Sequence, residues 1–219
     1  MTSDTCQPWR RPVTTLRPMV DFSEGLVDRF LRASAGFEQR LGAVRPEHWA
    51  GPTPCSAWNV RQLVNHMTRG NLGYVGLLRG GSGAEFLRLR DADALDADPV
   101  GAYLRSVQEC AEAFAAPGAF ERVLDYPLGK VSGRQALAVR TTDTVVHTWD
   151  LARAVGADET LDGELVAWID DFLEEIYAGL AETPTAAETT HRFFAAPGGA
   201  LAPGASRQER LLHRMGRAG

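Results

Sequence analysis

Residues 138–154 read AVRTTDTVVHTWDLARA, and this stretch decides the fold. It holds neither proline nor glycine. Ser132 and Gly133 stand ahead of it as a helix start, and Gly156 follows as a C-cap. At about 100° per residue, His147 lies roughly 40° round the helix from Asp143 and Asp150 roughly 20° the other way. Arg140 falls near the same line. Val139, Val145, Val146, Trp149, Leu151 and Ala152 cover most of the remaining circumference. A helix apolar on nearly every side is buried in a bundle. A buried carboxylate beside a buried imidazole needs a partner, and a divalent metal is a good one. Asp143 and His147 are therefore candidate ligands. The plainer alternative is an ion pair between neighbours on a solvated helix face.

A catalytic metal site needs a third protein ligand and an open position. The best-placed histidine is His66. The spacing predicts a helix over residues 57–78, with Ser56 as its N-cap, Thr53 and Asn59 as alternatives, and Val60, Leu63, Val64, Met67, Leu72, Val75 and Leu78 as its apolar stripe. His66 stands inside it, with Gly70 and Gly73 following on the same face. Glycine inside a helix costs about 1 kcal/mol relative to alanine, so two of them suggest space kept for a neighbouring helix or a ligand. His48, His191 and His213 stand in loops or near the chain end. Two histidines and a carboxylate suit Zn, Ni, Fe or Mn. Against this, His66 could be a satisfied core histidine. Asp150 reads as an acceptor that orients a ligand histidine, or as an ion-pair partner of Arg153 or Arg140. Cys55 reads as a small buried residue, with a reactive thiol as the alternative.

Elsewhere the pattern predicts helices over 20–41, 99–116, 162–180 and 206–215, and an extended or hairpin connection over 123–131. Val100 and Leu104 are counted as inward residues of the third helix, residues 80–83 as a flexible turn and 88–98 as a charged loop. The expected class is all-α: a four-helix bundle with long connections and a short C-terminal helix. Residues 1–18 read as a loose tail and 19–217 as one domain. With 219 residues, 44% of them hydrophobic, the chain can build a proper core. A net charge of −5 argues against nucleic acid or an anionic membrane as partner. No apolar run reaches the roughly 18–20 residues of a membrane span. The absence of a signal-like N-terminus and the odd count of 3 cysteines lead to the expectation of a reduced, cytoplasmic protein.

Residues 53–66, TPCSAWNVRQLVNH, resemble the first signature of the DinB-like helical bundles grouped with the N-terminal domain of mycothiol-dependent maleylpyruvate isomerase. Residues 143–156, DTVVHTWDLARAVG, resemble the second, and 205–217, ASRQERLLHRMGR, resemble the family's usual close. The resemblance covers residues 19–217. It implies a four-helix metal-binding bundle with ligands at His66, Asp143 and His147. The family's isomerase carries glutamate where this chain has Asp143, and a further C-terminal domain for which no residues remain here, so maleylpyruvate is not the expected substrate. The implied chemistry is a metal-bound low-molecular-weight thiol, mycothiol or a relative, attacking a small electrophile in a transferase or isomerase reaction, with Arg140 expected to bind an anionic group of the substrate. A non-catalytic metal-binding sensor or partner-binding bundle and a metal-dependent hydrolase are the alternatives. The chain could also pair as a homodimer.

Overall fold

The structure is a computed structural model that describes residues 21–56, 58–90, 92–180 and 201–217. The expected tail at 1–18, His191 and most of the stretch after Pro184 lie outside them. Helix α1 spans Leu26–Leu41, α2 Val60–Leu78, α3 Gly83–Leu89, α4 Pro99–Ala115, α5 Gly133–Val155, α6 Gly163–Ile176 and α7 Arg207–Arg214. Strands β1 (Val123–Tyr126) and β2 (Gly129–Ser132) pair antiparallel as a hairpin. Helix α1 packs on α5 and α4, and α2 packs on α4 and α5, which closes a four-helix bundle. Helix α6 lies against α5, and α7 lies against α6. No helix of the described residues is long and apolar enough to cross a membrane.

Local chemistry sets the boundaries. The Ser132 side chain accepts from Gln135 N at the start of α5, and Gly156 ends it at φ 67°. Inside α5, the buried hydroxyls of Thr141, Thr142, Thr144 and Thr148 bond back to carbonyls four residues earlier. That satisfies their polar atoms without any partner from another helix. The apolar circumference then packs on three sides, with Leu137, Val146 and Leu151 fully buried beside Phe30, Phe37, Leu63 and Met67.

Four expectations change. Helix α1 starts at Leu26 because Gly25 sits at φ 62°, a left-handed conformation a helix cannot run through. The N-cap of α2 is Asn59, in a reciprocal capping box with Gln62, and not Ser56. Residues 83–89 form α3, capped by Ser82, where a turn and a charged loop are expected from glycine and charge. Val100 and Leu104, expected inward, are exposed on α4.

Candidate metal centre

The packing of α2 on α5 brings His66, Asp143 and His147 together. His66 Nε2 lies 3.4 Å from Asp143 Oδ2, and His147 Nε2 lies 3.2 Å from Asp143 Oδ1. The two imidazoles meet edge to face with centroids 5.0 Å apart. Trp58, from the loop before α2, stacks on the His66 ring at 4.4 Å. One donor atom from each of the three residues lies within 4.8 Å of the others. Ligand bonds near 2.1 Å place neighbouring donors of a tetrahedral cation roughly 3.4 Å apart, so the spacing fits one. The deciding atom is His66 Nε2, which is buried and, among the described residues, makes no hydrogen bond beyond its 3.4 Å approach to Asp143 Oδ2. Such an orphan is costly unless something completes it.

The electrostatics run the same way. Burial pushes the His66 pKa down, more than the nearby Asp143 raises it, so its nitrogen stays neutral and free to donate a lone pair. Burial opposes charge on Asp143 as well, but the charge and contacts of His147, and then those of His66, hold its pKa well below 3.8. Burial likewise opposes charge on His147, yet Asp143, then Asp150 and Cys55, hold its pKa well above 6.5. The position between Asp143 and His147 thus favours a positive charge, whether a proton or a metal ion.

Behind each of these groups stands another. His147 Nδ1 donates to Asp150 Oδ2 at 2.7 Å, leaving Nε2 to face Asp143. Asp150 is fully buried on α5 and pairs with Arg217, not with Arg153 or Arg140. Arg140 is buried as well, with no surface to offer a substrate. It donates to Asp143 Oδ2 at 2.5 Å, to Asn71 Oδ1 at 2.8 Å and to the Met67 carbonyl at 2.8 Å. Asn71 passes the network on to Ser106 of α4. Arg140 therefore corrects the substrate-binding expectation: it holds Asp143. The glycine face is filled rather than open. A Cβ at Gly70 would meet the Arg140 guanidinium at 2.5 Å, and one at Gly73 would meet the Phe86 ring at 2.5 Å. Gly70 makes room for Arg140 and Gly73 for α3, so neither lines a substrate space. A cavity of ≈ 590 Å³ is lined instead by Arg217 together with Pro54, Trp149 and Arg153.

Cys55 and Arg217 are the residues that sequence reasoning missed. The half-buried Cys55 thiol donates to Asp150 Oδ2 at 3.2 Å and lies 3.9 Å from His147 Nδ1. Arg217 donates to both Asp150 oxygens, at 3.1 and 2.6 Å, and to Cys55 Sγ at 3.2 Å. Cys55, His147 and Asp150 also converge closely enough for a metal. Their polar atoms, however, are already spent on one another and on Arg217. The set with unspent capacity is His66, Asp143 and His147.

Residues 30–152 match the profile described as the mycothiol maleylpyruvate isomerase N-terminal domain, which is more than half of the chain. The chain belongs to that family. Two uncharacterized proteins of Mycobacterium tuberculosis, from strains CDC 1551 and H37Rv, are each 37% identical to this member over 134 residues, covering 61% of this chain and 69% of theirs. The crystal structure of a mycothiol-dependent maleylpyruvate isomerase superposes with a TM-score of 0.56 at 15% identity, over 69% of this chain and 71% of that one. The likeness establishes that the bundle seen here is the family fold.

Proposed function

We propose that the protein is a metal-dependent enzyme that presents a low-molecular-weight thiol, mycothiol in this family, to a small electrophile for isomerisation or conjugation. His66, Asp143 and His147 hold the divalent cation, Zn in first place, with Ni, Fe or Mn as alternatives. The observation that carries this reading is the buried, unpartnered Nε2 of His66, aimed at Asp143 beside a histidine whose surroundings favour positive charge. When bound, the cation supplies the charge that lowers a coordinated thiol's pKa towards neutrality. The protein's own residues do the rest. Asp150 accepts the Nδ1 proton of His147 and so fixes which nitrogen faces the cation. Arg140 fixes the Asp143 carboxylate, and Trp58 fixes the His66 ring. The His66 and Asp143 side chains are 23% and 18% exposed. That favours an open coordination position over a closed structural centre.

Two measurements test this. Elemental analysis of the purified protein should find about one divalent metal per chain, lost in His66→Ala; metal retained by that variant would rule out the three-ligand centre. Turnover of a generic electrophile should depend on mycothiol and outrun that with unrelated thiols. A loaded protein without thiol-dependent turnover would remove the transferase or isomerase reading and leave a metal-binding bundle.

A further inference from the structure

The feature so far without a role is the end of the chain. Helix α7 is tied to α6 through Arg207 with Asp170 and Asp171, and through Arg214 with Asp170 and Glu174. Gln208 exchanges two bonds with the α5–α6 connection, at Leu161 N and the Glu159 carbonyl. Leu211, Leu212 and Met215 are buried. The arm is thus anchored without help from Arg217. Its last turn closes as a Schellman motif: Gly216 sits at φ 71°, Gly216 N bonds His213 O, and Arg217 N bonds Leu212 O. The left-handed glycine reverses the chain and directs Arg217 inward, where Arg217 NH1 also bonds the Met215 carbonyl. Its guanidinium then spans both oxygens of the fully buried Asp150 in a bidentate pair. This is the geometry in which arginine fixes a carboxylate's orientation as well as its charge.

We infer that Arg217 is a positioning residue for the centre. It acts through Asp150 to hold the His147 ring, so that the C-terminal arm is a working part of the site. Asp150 accepts from Arg217 Nε on one oxygen, and from Arg217 NH2, Cys55 and His147 on the other. Without Arg217 the carboxylate keeps only the thiol and the imidazole, both on one oxygen. The carboxylate then loses the two-point hold that fixes its plane, and the imidazole loses the fixed acceptor that orients Nδ1. The inference rests on the reading of His147 as a ligand, and its consequence is read as metal affinity. Partners behind a ligand typically change affinity roughly 10–100-fold; one step further out, about tenfold is expected.

The test measures Zn2+ affinity by competition with a chromophoric chelator. Arg217→Met should bind about tenfold more weakly than wild type, with Arg217→Lys in between because it keeps the charge but not the bidentate fork. Arg214→Ala, which loosens the arm without touching Asp150, should stay within about twofold. In an Asp150→Asn background, Arg217→Met should cost almost nothing further, since the cycle isolates action through Asp150. Wild-type affinity in Arg217→Met, an equal loss in Arg214→Ala, or full additivity in the cycle would each overturn the inference. A second readout needs no metal. The proton on His147 Nδ1, protected by Asp150, should give a slowly exchanging resonance in the wild-type protein that is lost in Arg217→Met. Its persistence in the variant overturns the inference. A wild-type protein that binds none of Zn2+, Ni2+, Fe2+ or Mn2+ sinks the proposed function, while this resonance still decides the role of Arg217.

Discussion

The two sides of the His147 ring are built on opposite principles. On the inner side, Asp150, Arg217 and Cys55 are packed together and every polar atom is committed. On the outer side, His66 and Asp143 are partly open, and among the described residues His66 Nε2 has nothing nearer than its 3.4 Å approach to Asp143 Oδ2 to complete it. A closed network holds one geometry and gives nothing to a ligand. An open one costs stability when empty and repays it when filled. One imidazole joins them, with Nδ1 spent inward and Nε2 kept outward. The contrast separates what holds the ring from what uses it.

The largest expected effect strikes the inner side. Asp150→Ala strands the buried Arg217 guanidinium and removes the Nδ1 acceptor of His147, and should cost roughly 3–5 kcal/mol in urea unfolding of the metal-free protein. A loss under 1 kcal/mol would mean the inner side is not closed. Next comes acid. Burial raises the Asp150 pKa, but the bonds from His147 and Arg217 outweigh it and hold the pKa at about 2, against 3.8 ordinarily. A depressed carboxylate pKa stabilises the fold above the unfolded value, and that contribution is lost as pH falls through the folded one. Between pH 4 and 2 the wild type should therefore lose about 2 kcal/mol from this group, a loss missing from Asp150→Asn in parallel unfolding curves. A smaller effect lies behind Asp143. Gly70→Ala pushes a methyl into Arg140, costing about 1–3 kcal/mol, less the roughly 1 kcal/mol that alanine gains in a helix. Net destabilisation of about 1 kcal/mol should appear as a lower thermal midpoint, whereas a more stable variant would show that Arg140 is loosely held. The smallest effect belongs to the outer side. His66→Ala gives up ring contacts with Trp58 and His147 and one orphaned nitrogen, which nearly offset, so metal-free stability should change by less than about 1 kcal/mol. A larger loss would move His66 from the open side to the closed one.

How much of this was legible varies with distance along the chain. The helix α5 was readable from end to end, because its caps at Ser132 and Gly156 and its apolar circumference are local features. Asp143, His147 and Asp150 follow from one helical repeat, so their common face is fixed by spacing. Asn59 was only one of three N-cap candidates, since Thr53, Ser56 and Asn59 are all competent caps and only the capping box with Gln62 decides among them. Helix α3 was hidden because glycines and charges in that stretch look like a loop, while its packing against α2 and β1 comes from tertiary contacts.

What the sequence determined by itself is the long helices and, along α5, the face that Asp143, His147 and Asp150 share, because capping, periodicity and propensity act within a few residues. What only the tertiary structure decided is which side chains share a charge. Arg140 lies near the line of Asp143 and could equally have faced a substrate. It turns inward because Gly70, on another helix, leaves room for its guanidinium. Cys55 and Arg217, separated by 162 positions, meet at Asp150 because α7 docks on α6 and a left-handed Gly216 turns the chain end inward. No local rule encodes such a meeting. It follows from packing, since a buried carboxylate is stable only where the fold delivers its partners.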